Sequence, residues 1–190
     1  MIDIANKLDE AGYKVTLVTG RLVKRNRSLN DGVNLKKIIQ YQRTPIIKRL
    51  FTWGMAALQM LFLIWFRDSK SKLLIVSNPP FATFLPLICK NRFSLLIYDV
   101  YPEVLTEVKL LSKNSVIVKL WKKANKRTFK KADRIITISE GMKKAIQNYV
   151  ENKTIEVIPI WTDNEFLKPH HKKNNPFIKK YGLENQFIVM

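Results

Sequence analysis

The stretch LLIYDVYPEVL, residues 95–105, begins as a strand fit for a protein interior and then changes character. Three aliphatic residues and Tyr98 run up to Asp99, and Tyr101, Pro102 and a second carboxylate, Glu103, follow within four positions. A continuous apolar run, rather than an alternating one, marks a strand covered on both faces, as in a parallel sheet. A turn accounts for Asp99 and Pro102, but it requires neither Tyr101 nor Glu103.

The same pattern recurs on either side. YKVTLVTG (13–20), LKKIIQYQ (35–42), KLLIVSNPP (72–80), DRIITISE (133–140) and TIEVIPI (154–160) read as strands, several of them unbroken apolar runs. Between them lie helical segments. Residues 2–11 place Ile4, Ala5, Leu8 and Ala11 on one face before Gly12 stops the helix. Further helices are expected over Ile46–Phe66, over Ser115–Lys131 and in GMKKAIQNYV (141–150), with a helix or turn around Phe84–Cys89. Residues 21–34 read as a loop. Strands alternating with helices predict an α/β fold, a doubly wound parallel sheet of the Rossmann-like kind. Ligands of such sheets sit at the carboxyl ends of the strands. Asp99 is at such an end, as are Asn78, Pro79 and Pro80, then Ser139 and Glu140, then Trp161 and Asp163. These four strand ends are expected to converge on one crevice.

Toward the end of the chain, residues 163–176 are linker-like, PFIKKYGL (176–183) reads as a short helix and QFIVM (186–190) as the opening of another strand. The chain opens in a helix, whereas a doubly wound domain ordinarily opens with a strand and a Gly-rich turn. The expected division is therefore a Rossmann-like lobe over 1–163 that lacks its first strand, an interlobe linker over 164–186 and the start of a further lobe at 187–190.

The 190 residues carry a net charge of +19, which favours anionic partners such as nucleic acid, an anionic membrane surface or phosphorylated substrates. The preference for Lys, Asn and Ile also suits an AT-rich coding sequence. With 46% hydrophobic residues the composition is globular. Cys89 is the single cysteine, so neither a disulfide framework nor a thiolate metal site is available, and it reads as a small buried hydrophobe in a reducing cytosol. His170 and His171 lie in a charged linker and read as solvated. The N-terminus lacks the order of a signal peptide.

Two stretches point to a surface. From Lys109 to Lys131 there are nine Lys or Arg and no acid. Ile117, Leu120, Trp121, Ala124 and Thr128 share one helical face, expected to pack on the sheet. Lys119, Lys122, Lys123, Lys126, Arg127 and Lys130 share the other, free to meet anionic headgroups or simply to be solvated. LFTWGMAALQMLFLIWF (50–66) is shorter than a spanning helix and is interrupted by Thr52 and Gln59. It reads as a buried helix, or as one partly inserted at an interface with Trp53 and Trp65 as anchors.

LDEAGYKVTLVTG, LLIVSNPPFAT, YDVYPEVL, ADRIITISEGMKKAI and VIPIWTDNEFLKP occur in the order seen in the amino-terminal lobe of bacterial GT-B glycosyltransferases of family 4. Among these the chain resembles most the O-antigen and capsule enzymes of the WbuB-like type. The resemblance runs over residues 2–190. It departs in the missing opening strand and Gly-rich loop, and in Ile160-Trp161 where many relatives have Asn-Gly. The resemblance implies one lobe of a retaining sugar transferase. A second lobe would bind the nucleotide sugar, so this stretch alone is expected to be inactive. It implies no cofactor and no divalent metal, a lipid-linked sugar as acceptor, and a place on the inner face of the bacterial cytoplasmic membrane. On this resemblance Asp99 orients the acceptor hydroxyl, and Tyr101, Glu103, Asn78, Pro79, Ser139, Glu140, Trp161 and Asp163 line the acceptor side. Local roles compete: Asp99 or Ser139 as helix caps, Glu103 and Glu140 as first-turn charges. A non-catalytic membrane-surface domain and a nucleic-acid binder are the alternatives. The second is disfavoured by the lack of any recognised motif and of exposed aromatics for stacking on the basic helix.

Overall fold

The elements follow in the order α1 (Ile2–Glu10), β1 (Thr16–Thr19), β2 (Asn34–Lys37), α2 (Ile46–Phe66), β3 (Leu73–Val76), a 3-10 helix (Pro80–Leu87), β4 (Phe93–Ile97), α3 (Glu103–Glu107), α4 (Val116–Lys131), β5 (Arg134–Thr137), α5 (Glu140–Gln147) and β6 (Ile155–Val157). This order is seen in a computed structural model, which describes residues 1–24, 27–42, 44–161, 168 and 171–188. These elements belong to one unit, Met1–Ile158; residues from Pro159 onward form another.

The strands are parallel throughout. β3, β4, β5 and β6 form one sheet in that order, with Leu95 opposite Ile75 on one side and Ile135 on the other. β1 and β2 form a second, two-stranded sheet, so β1 and β3 each have ladder partners on one side only among the described residues. All five residues of β4 are buried. Successive side chains of a strand point to opposite faces, so both faces of the sheet are covered here, as the unbroken apolar run predicts. The core joins Leu95, Ile97 and Ile135 of the sheet to Ile64 of α2, Phe129 of α4 and Ile146 of α5. Each such side chain contributes about 1.5–3 kcal/mol by leaving water. The architecture is α/β, a parallel sheet flanked by helices.

A smaller core of Ala5, Leu17 and Val33 ties α1 to the β1–β2 sheet. Asn6 fastens α1 to the loop before β2: its amide donates to the Ser28 carbonyl (2.9 Å), and its oxygen accepts from the Asn30 amide (3.0 Å).

α2 begins after Pro45 and spans the 21 residues of the apolar run and its basic entry. Ile47–Phe66 is long and apolar enough to cross a membrane by length and composition, and only 12% of its most apolar window is buried. Thr52, Ala56 and Ile64 face inward. The two polar positions are used: Gln59 Oε1 accepts from the Ile39 amide (2.7 Å), and Thr52 Oγ1 accepts from the Gln42 amide (3.4 Å) while donating to the Arg49 carbonyl (3.0 Å). Thus α2 holds the chain that leaves β2.

α4 differs from its expected orientation. The buried line is Val118, Asn125, Thr128 and Phe129, with Trp121 half-buried, whereas Ile117 and Leu120 are exposed. The helix is turned because Asn125, a polar residue, is needed inside: its amide donates to the Tyr101 carbonyl. Ser115 caps α4 by accepting from the Val118 amide (3.3 Å), and the ammonium of Lys153 donates to the Ala132 carbonyl at its other end.

In the second unit, Asn175 caps α6 (Pro176–Tyr181) through the Phe177 amide, and Gly182, at φ 62°, ends it. Residues 187 and 188 carry no strand, and 189 and 190 lie outside the described residues. The division after Ile158 falls just before the sequence-based boundary at 163.

Candidate active site

Asp99 stands two residues beyond β4, and side chains rather than sheet rungs hold the chain there. Ser77, buried at the end of β3, accepts from the amides of Tyr98 (2.9 Å) and Asp99 (3.3 Å) through its hydroxyl. Thr137, buried at the end of β5, donates its hydroxyl to the Ile97 carbonyl (3.0 Å). Asn125 of α4 donates to the Tyr101 carbonyl. Residues 97–101 are therefore fixed from both neighbouring strands and from one helix, while Asp99 itself is exposed. α3 begins only at Glu103, with Pro102 as its N-cap, so Asp99 does not cap it.

Behind Asp99 lies an open cleft lined by Ser77, Thr83, Asp99, Tyr101, Trp121 and Asn125 among others. Its enclosed space is ≈ 10 Å³, about that of one water. Two of its lining rings belong to a chain of aromatic contacts. Tyr101 stacks on Trp121 (centroids 6.0 Å, 24°), and Trp121 on Phe81 (5.4 Å, 29°). Phe81 meets Trp53, which stacks on Tyr41 (both 5.8 Å). Burial, and then the negative charges of Asp99 and of an ionised Tyr41, raise the Tyr101 hydroxyl above the ordinary phenol range. Tyr101 is thus a neutral donor at physiological pH.

The remaining sequence-based candidates are placed differently. Asn78 and Pro79 follow β3 and, like Ser139 and Glu140 after β5, stand at the same edge of the sheet without lining the cleft. Ser139 caps α5 by accepting from the Met142 amide (3.3 Å), and Glu140 pairs with Lys143 (3.7 Å). Glu103 accepts from the Tyr149 hydroxyl (2.5 Å) and lies 3.6 Å from the Lys122 ammonium. Burial and this hydrogen bond push the Tyr149 hydroxyl far above its usual range. Trp161 belongs to the second unit, and Asp163 lies outside the described residues. Of α4's basic residues, Lys119, Lys123, Lys126, Arg127 and Lys130 are exposed; Lys122 is exposed too but reaches Glu103.

Sequence reasoning passed over Ser77, Thr137 and Asn125, which build the site. The available signals were a serine between an apolar strand and Asn78, a threonine inside RIIT, and an asparagine in the apolar line of a Lys-rich helix.

No curated protein matches the chain. The family described as Glycosyltransferase Family 4 matches residues 1–166, most of the chain and all of the unit that carries Asp99. The parallel α/β lobe is consistent with that match, and the chain belongs to glycosyltransferase family 4.

Proposed function

We propose that this lobe binds the acceptor in a retaining sugar transfer, with Asp99 as the carboxylate that aligns the acceptor hydroxyl. The observation that carries the reading is the placement of Asp99. It is an exposed acid on a backbone fixed by Ser77, Thr137 and Asn125, lining a small open cleft at the strand ends. A carboxylate there accepts a hydrogen bond from that hydroxyl and raises its nucleophilicity. Tyr101, backed by Trp121, offers a ring face to the apolar side of a sugar and a neutral hydroxyl as donor. The donor is a nucleotide sugar held by a second lobe, with no metal or other cofactor.

The acceptor we assign is a lipid-linked sugar of cell-surface polysaccharide synthesis, as in the WbuB-like O-antigen and capsule enzymes. The basic face of α4 would hold the lobe on the anionic inner face of the cytoplasmic membrane. Lys119, Lys123, Lys126, Arg127 and Lys130, exposed and at roughly 1 kcal/mol each near an anionic surface, support reversible binding.

The test is Asp99→Asn in a protein that carries this lobe together with its nucleotide-sugar lobe. The transfer rate should fall more than tenfold while the melting temperature holds, because Asp99 is exposed and its amide, not its side chain, is tied to Ser77. Full activity in that variant would remove Asp99 from the mechanism.

A further inference from the structure

The outward face of α4 changes character along its length. At 100° per residue, Val116, Leu120, Lys123 and Arg127 follow one line opposite the buried Val118, Asn125 and Phe129. The first two are aliphatic and exposed, at 70% and 62%, and the last two are cations. Ile117 beside them is 59% exposed. The turn before the helix adds to the cluster. Lys109, at φ 57°, ends α3, with the Leu110 and Leu111 amides both on the Leu105 carbonyl. The residue after such a left-handed cap commonly packs back on its helix. Leu110 instead is 70% exposed, with Val108 at 59%. Five aliphatic side chains thus stand out from one short segment whose surroundings are cationic: Lys109, Lys113, Lys119, Lys123, Lys126 and Arg127 are all exposed. No acid occurs between residues 108 and 132.

We propose that Val108, Leu110, Val116, Ile117 and Leu120 form a wedge that enters the acyl boundary of an anionic bilayer, with the cations of α4 on the lipid phosphates. The proposal rests on the membrane reading above and adds insertion to it, which corrects the expectation that Ile117 and Leu120 pack on the sheet. Charge selects the occupant. A second copy of this face would bring two acid-free basic helices together, which repels. Nucleic acid would suit the charge but not the aliphatic tip, since Val, Leu and Ile give bases no ring to stack on. A bilayer with acidic headgroups over hydrocarbon matches both halves of the helix.

Salt separates the two contributions, because screening shortens the reach of charge from about 10 Å at 0.1 M to about 3 Å at 1 M and leaves apolar burial in place. The full chain is sedimented with phosphatidylglycerol/phosphatidylcholine vesicles at both salt levels. The wild type should bind at low salt and keep part of its binding at high salt. Leu110→Ser, Ile117→Ser and Leu120→Ser together should lower the partition coefficient by about 1,000-fold, since each aliphatic chain moved into hydrocarbon is worth about tenfold. As a second measurement, Ile117→Cys in a Cys89→Ala background carries an environment-sensitive dye, whose emission should shift to the blue on mixed vesicles. Wild-type binding by the triple variant together with an unshifted dye overturns the wedge. If Lys119→Glu, Lys123→Glu and Lys126→Glu still abolish binding in that case, the electrostatic membrane reading stands without it. No vesicle binding by the wild type overturns both. Equal, salt-labile binding to duplex DNA and vesicles, indifferent to the serine substitutions, reduces the face to unspecific charge and overturns the proposal.

Discussion

Replacing Tyr149 by Phe removes one oxygen and tests what Glu103 is for. The Glu103 carboxylate accepts the Tyr149 hydroxyl at 2.5 Å and has the Lys122 ammonium at 3.6 Å. Its other oxygen, Oε2, is enclosed and has no hydrogen-bond partner among the described residues. A hydrogen bond to a charged group is worth about 1.5–3 kcal/mol, whereas an ion pair reaching solvent contributes at most about 1 kcal/mol. Lys122 has a half-exposed side chain, so the phenol should dominate. At roughly 2–4 °C per kcal/mol for a chain of this size, Tyr149→Phe should lower the melting temperature by about 3–12 °C. Lys122→Gln should lower it by about 4 °C or less. Thermal denaturation followed by circular dichroism reads both. A double-mutant cycle between Tyr149→Phe and Glu103→Gln should return a coupling above about 0.5 kcal/mol. If Tyr149→Phe melted within about 1 °C of the wild type, the pair would be incidental and Glu103 would be available to the acceptor after all.

The same hydroxyl predicts a pH dependence. Its folded-state pKa lies above the unfolded value of 10.0, so the stability it brings is complete below about pH 10 and is lost as pH rises from there toward the folded value. Urea midpoints at pH 8 and 11 should fall further for the wild type than for Tyr149→Phe, and parallel falls would contradict the assignment. Ser77→Ala leaves the Tyr98 and Asp99 amides without their acceptor and should cost about 1–3 kcal/mol in urea denaturation, with slower transfer in the two-lobed protein. A loss below about 0.5 kcal/mol would mean that water replaces the serine. Leu95→Ala, at a side chain with no exposure on a strand covered on both faces, should cost about 2–5 kcal/mol; a loss under 1 kcal/mol would show the sheet less closely packed than described.

Elements governed by local pattern were legible in the sequence. The bounds of α2 follow from an apolar run between Pro45 and Arg67, and β3 to β6 from short aliphatic runs. α3 was not legible, because five residues from Glu103 to Glu107 show no periodicity. The helix or turn expected around Phe84–Cys89 is a 3-10 helix over Pro80–Leu87, which starts earlier, at the second proline of the expected strand end. The strands were read too long, because apolar residues continue into connections such as Tyr98 and Ile158, where pairing has ended. At the site, Asp99 and Tyr101 could be found because an acid and an aromatic are unusual after a buried strand. Ser77, Thr137 and Asn125 could not, because their partners are 22, 40 and 24 residues away and the pairing exists only once the sheet has formed. The face of α4 differs for the same reason: Asn125, which belongs to neither the expected apolar face nor the expected basic one, is buried with Val118 and Phe129.

Gln59 and the buried side of α2 limit how that helix can behave. Its side exposes Ile47, Phe51, Leu58, Phe62 and Trp65, a stripe attractive to detergent and lipid alike. Yet Gln59 holds the Ile39 amide, and Ala56 and Ile64 are buried against the fold, so lifting α2 into hydrocarbon would strip Gln59 of its partner at several kcal/mol and uncover the core. The helix can lie along a bilayer on its side but cannot pass through one while the fold persists. A protein attached in that way is released by alkaline or chaotropic washing that leaves the lipid bilayer whole, and its recovery does not depend on dissolving the membrane.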